Sequence, residues 1–281
     1  MNENTIRVRG IDYYVETAGS EDLPTIVFLH GFTGSTATWQ EVTKMLKGKY
    51  RTVAIDLTGH GKTSIPRDVN RYSMDEQVED LEELFNALSF QQFKLVGYSM
   101  GGRVALAYTI RYPKRVTSLI LESSSPGLKT ENERMERQAA DGRLADRIVS
   151  EGLRAFIDFW GNIPLFSSQK KLLAEKQLAV KNERLSQSET GLANSLRGIG
   201  TGSQASYWDR LHTVNLPVLL ITGELDTKFV NISREMQSYF PNVRHETIDH
   251  TGHAIHVEKP DTFATMIEEH ISELKNRGGS L

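Results

Sequence analysis

The chain has 281 residues, 33 lysines and arginines against 36 aspartates and glutamates, a formal net charge of -3 and no cysteine. Its length fits one α/β core carrying an insertion better than two unrelated domains. The near-neutral charge, with no block of five or more basic residues, lacks the electrostatic footprint of a nucleic-acid or membrane-surface protein, and the missing thiols exclude disulfides and thiolate metal sites. No apolar run approaches the ~20 residues that span a bilayer, and Met1-Asn2-Glu3-Asn4 is not a basic stretch leading into an apolar one. The expectation is a cytoplasmic protein whose partner is a small molecule or another protein.

In chain order, short apolar or alternating runs at residues 11–16, 25–30, 51–56, 93–97, 117–122, 217–223 and 243–248 predict strands. Apolar residues at three- and four-residue intervals predict helices over 74–88, 102–111, 230–239 and 261–274. Strands alternating with helices point to a mostly parallel sheet covered on both faces, with chemistry gathered beyond the strands' carboxyl ends. The alternation stops between about residues 126 and 207, where helix-favouring charged residues dominate around apolar positions such as Leu144, Ile148, Phe156, Leu172 and Leu173. This segment is expected to be a packed helical lid inserted between the strands at 117–122 and 217–223. It divides the chain into a first core part (1–125), the lid (126–207) and a second core part (208–281). Residues 277–281 read as a frayed tail.

Gly97-Tyr98-Ser99-Met100-Gly101 lies between a buried strand and an alanine-rich helix, the context in which Gly-x-Ser-x-Gly forms a nucleophile elbow that projects the serine from the sheet. A serine hydroxyl is inert at neutral pH unless a histidine and a carboxylate activate it. Gly223-Glu224-Leu225-Asp226 follows the penultimate strand and Asp249-His250-Thr251-Gly252-His253 follows the last, so Asp226 and His253 are the favoured partners of Ser99. His250 and His256 are the rival bases, but Gly252 gives the loop freedom to turn His253 inward. Asp249 is the rival acid, too near the histidine in sequence to face the far side of its ring. Reading His250, His253, His256 and Glu258 as a metal site finds neither an i, i+4 histidine pair on a helix nor a distant further ligand.

An oxyanion site needs two convergent backbone N–H groups. His30-Gly31-Phe32-Thr33-Gly34 follows a strand end, so the Phe32 amide can pair with that of Met100. Neither a Gly-Lys-Ser/Thr phosphate loop nor a Gly-x-Gly-x-x-Gly fingerprint is present, and no nucleotide or other cofactor is expected.

Together with Asp56-Leu57-Thr58-Gly59-His60-Gly61-Lys62-Thr63-Ser64 and the Gly252-His253 loop followed by Glu258 and Pro260, these motifs resemble the α/β-hydrolase superfamily over nearly the whole chain. The resemblance implies an eight-stranded, mostly parallel sheet with helices on both faces and an inserted helical lid. More narrowly, Gly97-Tyr98-Ser99-Met100-Gly101-Gly102-Arg103 resembles the 2-succinyl-6-hydroxy-2,4-cyclohexadiene-1-carboxylate synthases of menaquinone biosynthesis. Ser125-Pro126-Gly127-Leu128 with Arg134 and Arg137, the aromatic segment from Phe159 to Phe166, and Arg184 with Gly191 and Leu192 look like that family's lid elements.

What this narrower resemblance implies is a cofactor-independent elimination of pyruvate from a polycarboxylate. Ser99 acts as the base, and Tyr98, Arg103, Arg137, Trp160 and Arg184 bind the substrate. Guanidinium suits the purpose, since it holds a carboxylate through two parallel hydrogen bonds. Arg103, early in the elbow helix, is a poor choice for a mere surface charge because it opposes the helix dipole. Two other readings stay open: a serine hydrolase of esters or vinylogous carbon–carbon bonds using the same triad, and a small-molecule receptor built on the same fold.

Overall fold

A computed structural model of the chain describes residues 2–278. Eight strands make one sheet: β1 (Asn2–Val8), β2 (Ile11–Ala18), β3 (Thr25–Leu29), β4 (Arg51–Ile55), β5 (Phe93–Tyr98), β6 (Val116–Glu122), β7 (Val218–Gly223) and β8 (Val243–Ile248), in the order β1-β2-β4-β3-β5-β6-β7-β8. β1 and β2 run antiparallel to their neighbours, and the pairs from β4 through β8 are parallel. β3, β5 and β7 are mostly apolar, broken by one charge at Lys94, because both faces of a parallel sheet are covered. Alternate side chains feed two separate cores. Val27, Leu29, Val53 and Leu95 pack with Phe85 and Tyr108 on one face, while Ile26, Phe28, Val96 and Ile221 pack with Trp39 and Phe263 on the other. β1 lies outside the seven runs read as strands: it opens with polar, exposed residues, and its pairing to β2 is what makes it a strand.

The covering helices are α1 (Gln40–Leu46), α2 (Met74–Ala87) and α3 (Met100–Arg111). After β6 the chain passes through α4 (Glu131–Glu151), α5 (Leu153–Trp160), α6 (Ala174–Leu185) and α7 (Glu189–Ile199) before re-entering the sheet at β7. α4 starts at a reciprocal capping box between Thr130 and Glu133. The inserted helices hold a small core of their own around Ile148, Phe156, Ile157, Leu192 and Leu196, against which Leu144 and Phe32 pack. Leu173 is no part of it. It precedes the first turn of α6, where no helical face exists, and is 72% exposed.

The chain closes with α8 (Thr227–Gln237), α9 (Ile255–Glu258) and α10 (Pro260–Gly278). α8 begins three residues before the apolar periodicity suggests because Asp226 caps it, its Oδ1 accepting the Phe229 N–H at 3.4 Å. α10 takes in residues 277 and 278 of the expected tail, and 279–281 lie outside the described residues. Among the described residues no helix is long and apolar enough to cross a membrane.

Candidate active site

Ser99 sits between β5 and α3 with φ 50° and ψ -107°, a conformation that costs a side-chain-bearing residue on the order of 1–3 kcal/mol. Its surroundings hold it there. The Ser99 N–H donates to the Glu122 carbonyl at 2.9 Å, and the Ser99 carbonyl accepts from Arg103 N–H and Ser124 Oγ, each at 3.1 Å. The flanking glycines are required by close approach. A Cβ at Gly101 would strike the Leu29 and His30 carbonyls, and one at Gly97 would meet the backbone of Gly101 and Gly102. The same contact that forbids a side chain at Gly101 presses the amino end of α3 against the end of β3.

Ser99 Oγ lies 3.0 Å from His253 Nε2, and His253 Nδ1 lies 2.6 Å from Asp226 Oδ2. His253 is 2% exposed and is flanked by the rings of Tyr98, Phe229 and Phe166. With Nδ1–H donating to Asp226, Nε2 is left to accept the serine proton. Asp226 is held on its other oxygen by the α8 cap, so the acid is oriented by the start of the helix that follows it. The rival residues lie elsewhere. The His250 side chain is 87% exposed, and Asp249 is also exposed. His256 is fully buried between both Glu122 oxygens at 2.8 and 2.9 Å and Thr38 Oγ1 at 2.8 Å. The histidines of this segment thus face three different environments. Glu258, weighed in the sequence as part of a motif and of a metal site, fixes the loop: its Oε2 accepts the Gly252 N–H at 2.9 Å and its Oε1 accepts from Ser168 Oγ at 2.8 Å.

The triad opens into a cavity of about 500 Å³ whose wall includes Phe32, Tyr98, Met100, Arg103, Arg137 and Trp160. The amides of Phe32 and Met100, at the end of β3 and the start of α3, have no backbone partner among the described residues. Trp160 stacks on Phe156 and meets Phe32 edge-on, and its buried indole N–H has no acceptor among the described residues. It therefore offers both an apolar wall and a spare donor.

The cations of the wall differ in how they are engaged. Arg137 Nε donates to buried Asp141 at 2.7 Å, one helical turn along α4, and Lys129 pairs with Glu235. Arg103, 8% exposed, binds neutral acceptors among the described residues, the Ile199 carbonyl at 2.8 Å and Gln204 Oε1 at 2.5 Å. Burial first, and then neighbouring Arg137, pulls its pKa down to about 10, so it remains cationic at neutral pH. Arg184 lies apart from the other predicted binding residues. It stacks over the Phe166 ring, 4.4 Å from its centre, and lines a neighbouring cavity of about 350 Å³. Phe166 borders both cavities, so a planar guanidinium with an aromatic face to cover settles behind the ring. Sequence reading missed Lys228, which lines the main cavity two residues after Asp226. A lysine opposing the dipole at the start of α8 was the available signal.

Comparison with known proteins adds the family. The model for the alpha/beta hydrolase fold matches residues 24–260. The chain belongs to that family. A Bacillus subtilis (strain 168) protein that carries the provisional name 2-succinyl-6-hydroxy-2,4-cyclohexadiene-1-carboxylate synthase is 45% identical over 94% of this chain and 96% of its own length. The synthase of that name from Salmonella paratyphi C (strain RKS4594) is 32% identical over 86% of this chain and 91% of its own. Among solved structures, MenH from S. aureus superposes with a TM-score of 0.88 at 38% identity, covering 93% of this chain and 98% of that one.

Beneath the Phe32 loop two histidines are buried and neutral. His30 Nδ1–H donates to the Gly31 carbonyl at 2.8 Å, its Nε2 accepts the Leu57 N–H at 2.9 Å, and the His60 ring centre lies 5.1 Å away. Burial is the first cause that lowers both, His30 to about 4 and His60 to about 3, with His30 lowering His60 further. An unfolded histidine titrates near 6.5, so between that pH and the folded values only the unfolded chain takes up these protons. Their contribution to stability is complete above about pH 6.5 and falls as the pH drops towards the folded values. Urea unfolding is expected to lose about 1 kcal/mol per histidine between pH 7.5 and 5.5, and His60→Gln should shrink that loss. An unchanged pH dependence in His60→Gln would contradict the assignment.

Proposed function

We infer that the protein is a cofactor-independent carbon–oxygen lyase acting in the cytoplasm in menaquinone biosynthesis. In this reading it releases pyruvate from 2-succinyl-5-enolpyruvyl-6-hydroxy-3-cyclohexene-1-carboxylate to leave 2-succinyl-6-hydroxy-2,4-cyclohexadiene-1-carboxylate. The observation that carries the reading is Arg103, a buried cation with no carboxylate partner among the described residues, in the wall of the cavity onto which Ser99 and His253 face, with Asp226 hydrogen-bonded behind the histidine. A desolvated, unpaired guanidinium is costly, and a substrate carboxylate offsets that cost. The names of the relatives supply the rest.

In the reaction, Ser99 Oγ takes the ring proton beside the succinyl ketone as His253 Nε2 takes the hydroxyl proton. The ring electrons shift towards the ketone oxygen, where the Phe32 and Met100 amides stabilise the developing charge. They then return to form the conjugated diene and break the ring carbon–oxygen bond. Enolpyruvate leaves with the bonding pair and takes up the proton held on His253, giving pyruvate. Asp226 keeps Nδ1 protonated throughout and stabilises the imidazolium. Arg103 and Arg137 orient the carboxylates, and Tyr98 and Trp160 bound the ring. Carriage of the same triad by serine hydrolases supports a second reading, hydrolysis of an ester or vinylogous carbon–carbon bond.

A lactate dehydrogenase-coupled assay on the native precursor separates the two. Pyruvate is expected in equal amount to the new conjugated-ring absorbance, with no solvent ¹⁸O in the ring product. Absence of pyruvate together with fast hydrolysis of simple esters would overturn the lyase reading.

A further inference from the structure

The cavity wall carries four cations and three carboxylates, and the carboxylates are already engaged. Glu133 accepts from Thr130, Asp141 from Arg137, and Glu235 pairs with Lys129. Two cations remain without an ionic partner: Arg103, already argued to take a substrate carboxylate, and Lys228. The Lys228 ammonium makes no hydrogen bond or ion pair among the described residues, and its one aromatic contact is a distant one, 5.4 Å from the centre of the Phe229 ring. Its charged neighbours do not satisfy it. Arg137 repels it, and Asp226 is already bound by His253 and by the cap of α8. Desolvation first, then Arg137, lowers its pKa, while Asp226 works the other way. An ammonium in the first turn of α8 also opposes the helix dipole. Among the described residues only the attraction of Asp226, itself already bound, works against these costs, whereas an anion in the cavity would pair with the ammonium directly.

We propose that Lys228 is a substrate-binding residue that holds a second carboxylate, distinct from the one gripped by Arg103, and so makes the cavity selective for polycarboxylates over monocarboxylates. The proposal rests on the polycarboxylate reading above. Lys228 is a point charge on a flexible stem, so it tolerates a range of carboxylate positions where Arg103 fixes one. Its place directly after the acid's loop puts that second anchor on the helix that also orients Asp226, while Arg103 stands on α3.

Lys228→Gln tests this, with Lys129→Gln as the control that removes one positive charge from the same wall at a lysine already paired. The expected result for Lys228→Gln is a KM for the native precursor raised tenfold or more with kcat within threefold, and Lys129→Gln within twofold on both. Intrinsic tryptophan fluorescence, with Trp160 and Trp208 both in the cavity wall, gives a readout independent of turnover. Titration with benzene-1,3,5-tricarboxylate should weaken tenfold in Lys228→Gln, and titration with benzoate should be unchanged. Equal effects in the two variants, or equal weakening for both ligands, would overturn the assignment, since a general field effect would then account for them. Should wild-type protein release no pyruvate while the tricarboxylate titration behaves as described, the lyase reading fails and the carboxylate anchor stands.

Discussion

Ser99→Ala will lower kcat for pyruvate release by about 10³-fold or more, while the affinity for the polycarboxylate precursor stays within threefold of wild type. The first expectation follows from the proton path. A base that acts in the transition state is worth roughly 10²–10⁴, and here the serine hydroxyl lies 3.0 Å from His253 Nε2, the nitrogen that takes its proton. The second follows from burial: Ser99 Oγ contributes little surface compared with Trp160, Phe166 and the cations that line the same space. Asp226→Asn should give a loss of similar order through a different cause. An amide at 2.6 Å from His253 Nδ1 can donate to it, which favours the tautomer whose Nε2 carries a proton and cannot accept one. Single-turnover rates and equilibrium binding, measured separately, decide the matter. Near-normal pyruvate release from Ser99→Ala would end the assignment of serine as the base.

Arg103→Ala will lower kcat/KM for the precursor by roughly 10²–10³-fold, the range expected when one member of a desolvated, hydrogen-bonded charge pair is removed. The same change will leave thermal stability unchanged or raise it. Arg103 is held by two neutral acceptors and repelled by Arg137, and Asp141, which attracts it, is bound by Arg137, so the unliganded protein bears the cost of its burial with no ion pair to it among the described residues. Loss of activity with a steady or higher Tm is the signature of a group kept for its ligand, whereas a structural arginine would lose both together. Arg103→Lys should recover little, because an ammonium cannot hold the Ile199 carbonyl and Gln204 while presenting a planar fork to a carboxylate. An Arg103→Ala protein with kcat/KM within threefold of wild type would show that the substrate is anchored elsewhere.

The parts of this molecule that are legible in its sequence are those governed by local rules. Mostly apolar runs at β3, β5 and β7, glycines where two backbones meet, and a serine at a strand-to-helix turn can all be recognised without coordinates. β1 cannot, because its strand character comes from hydrogen bonds to β2 and its side chains are largely exposed. Position in space is harder still. The helix-favouring composition of the 126–207 segment puts Arg184 on a helix, but whether its guanidinium enters the main cavity or stacks behind Phe166 depends on how two inserted segments pack. Lys228 was overlooked for the opposite reason. A single lysine beside an acid reads as a surface charge until the cavity shows that every nearby carboxylate already has a partner.

The bridge from Ser168 through Glu258 to the Gly252 amide joins the segment ahead of α6 to the loop that carries His253. An insertion bound in this way is not an interchangeable module. A chimera that transplanted a different set of helices onto this sheet would arrive without the hydroxyl that steadies Glu258. The imidazole would then be misaligned even though the sheet, the elbow and the acid had been kept intact.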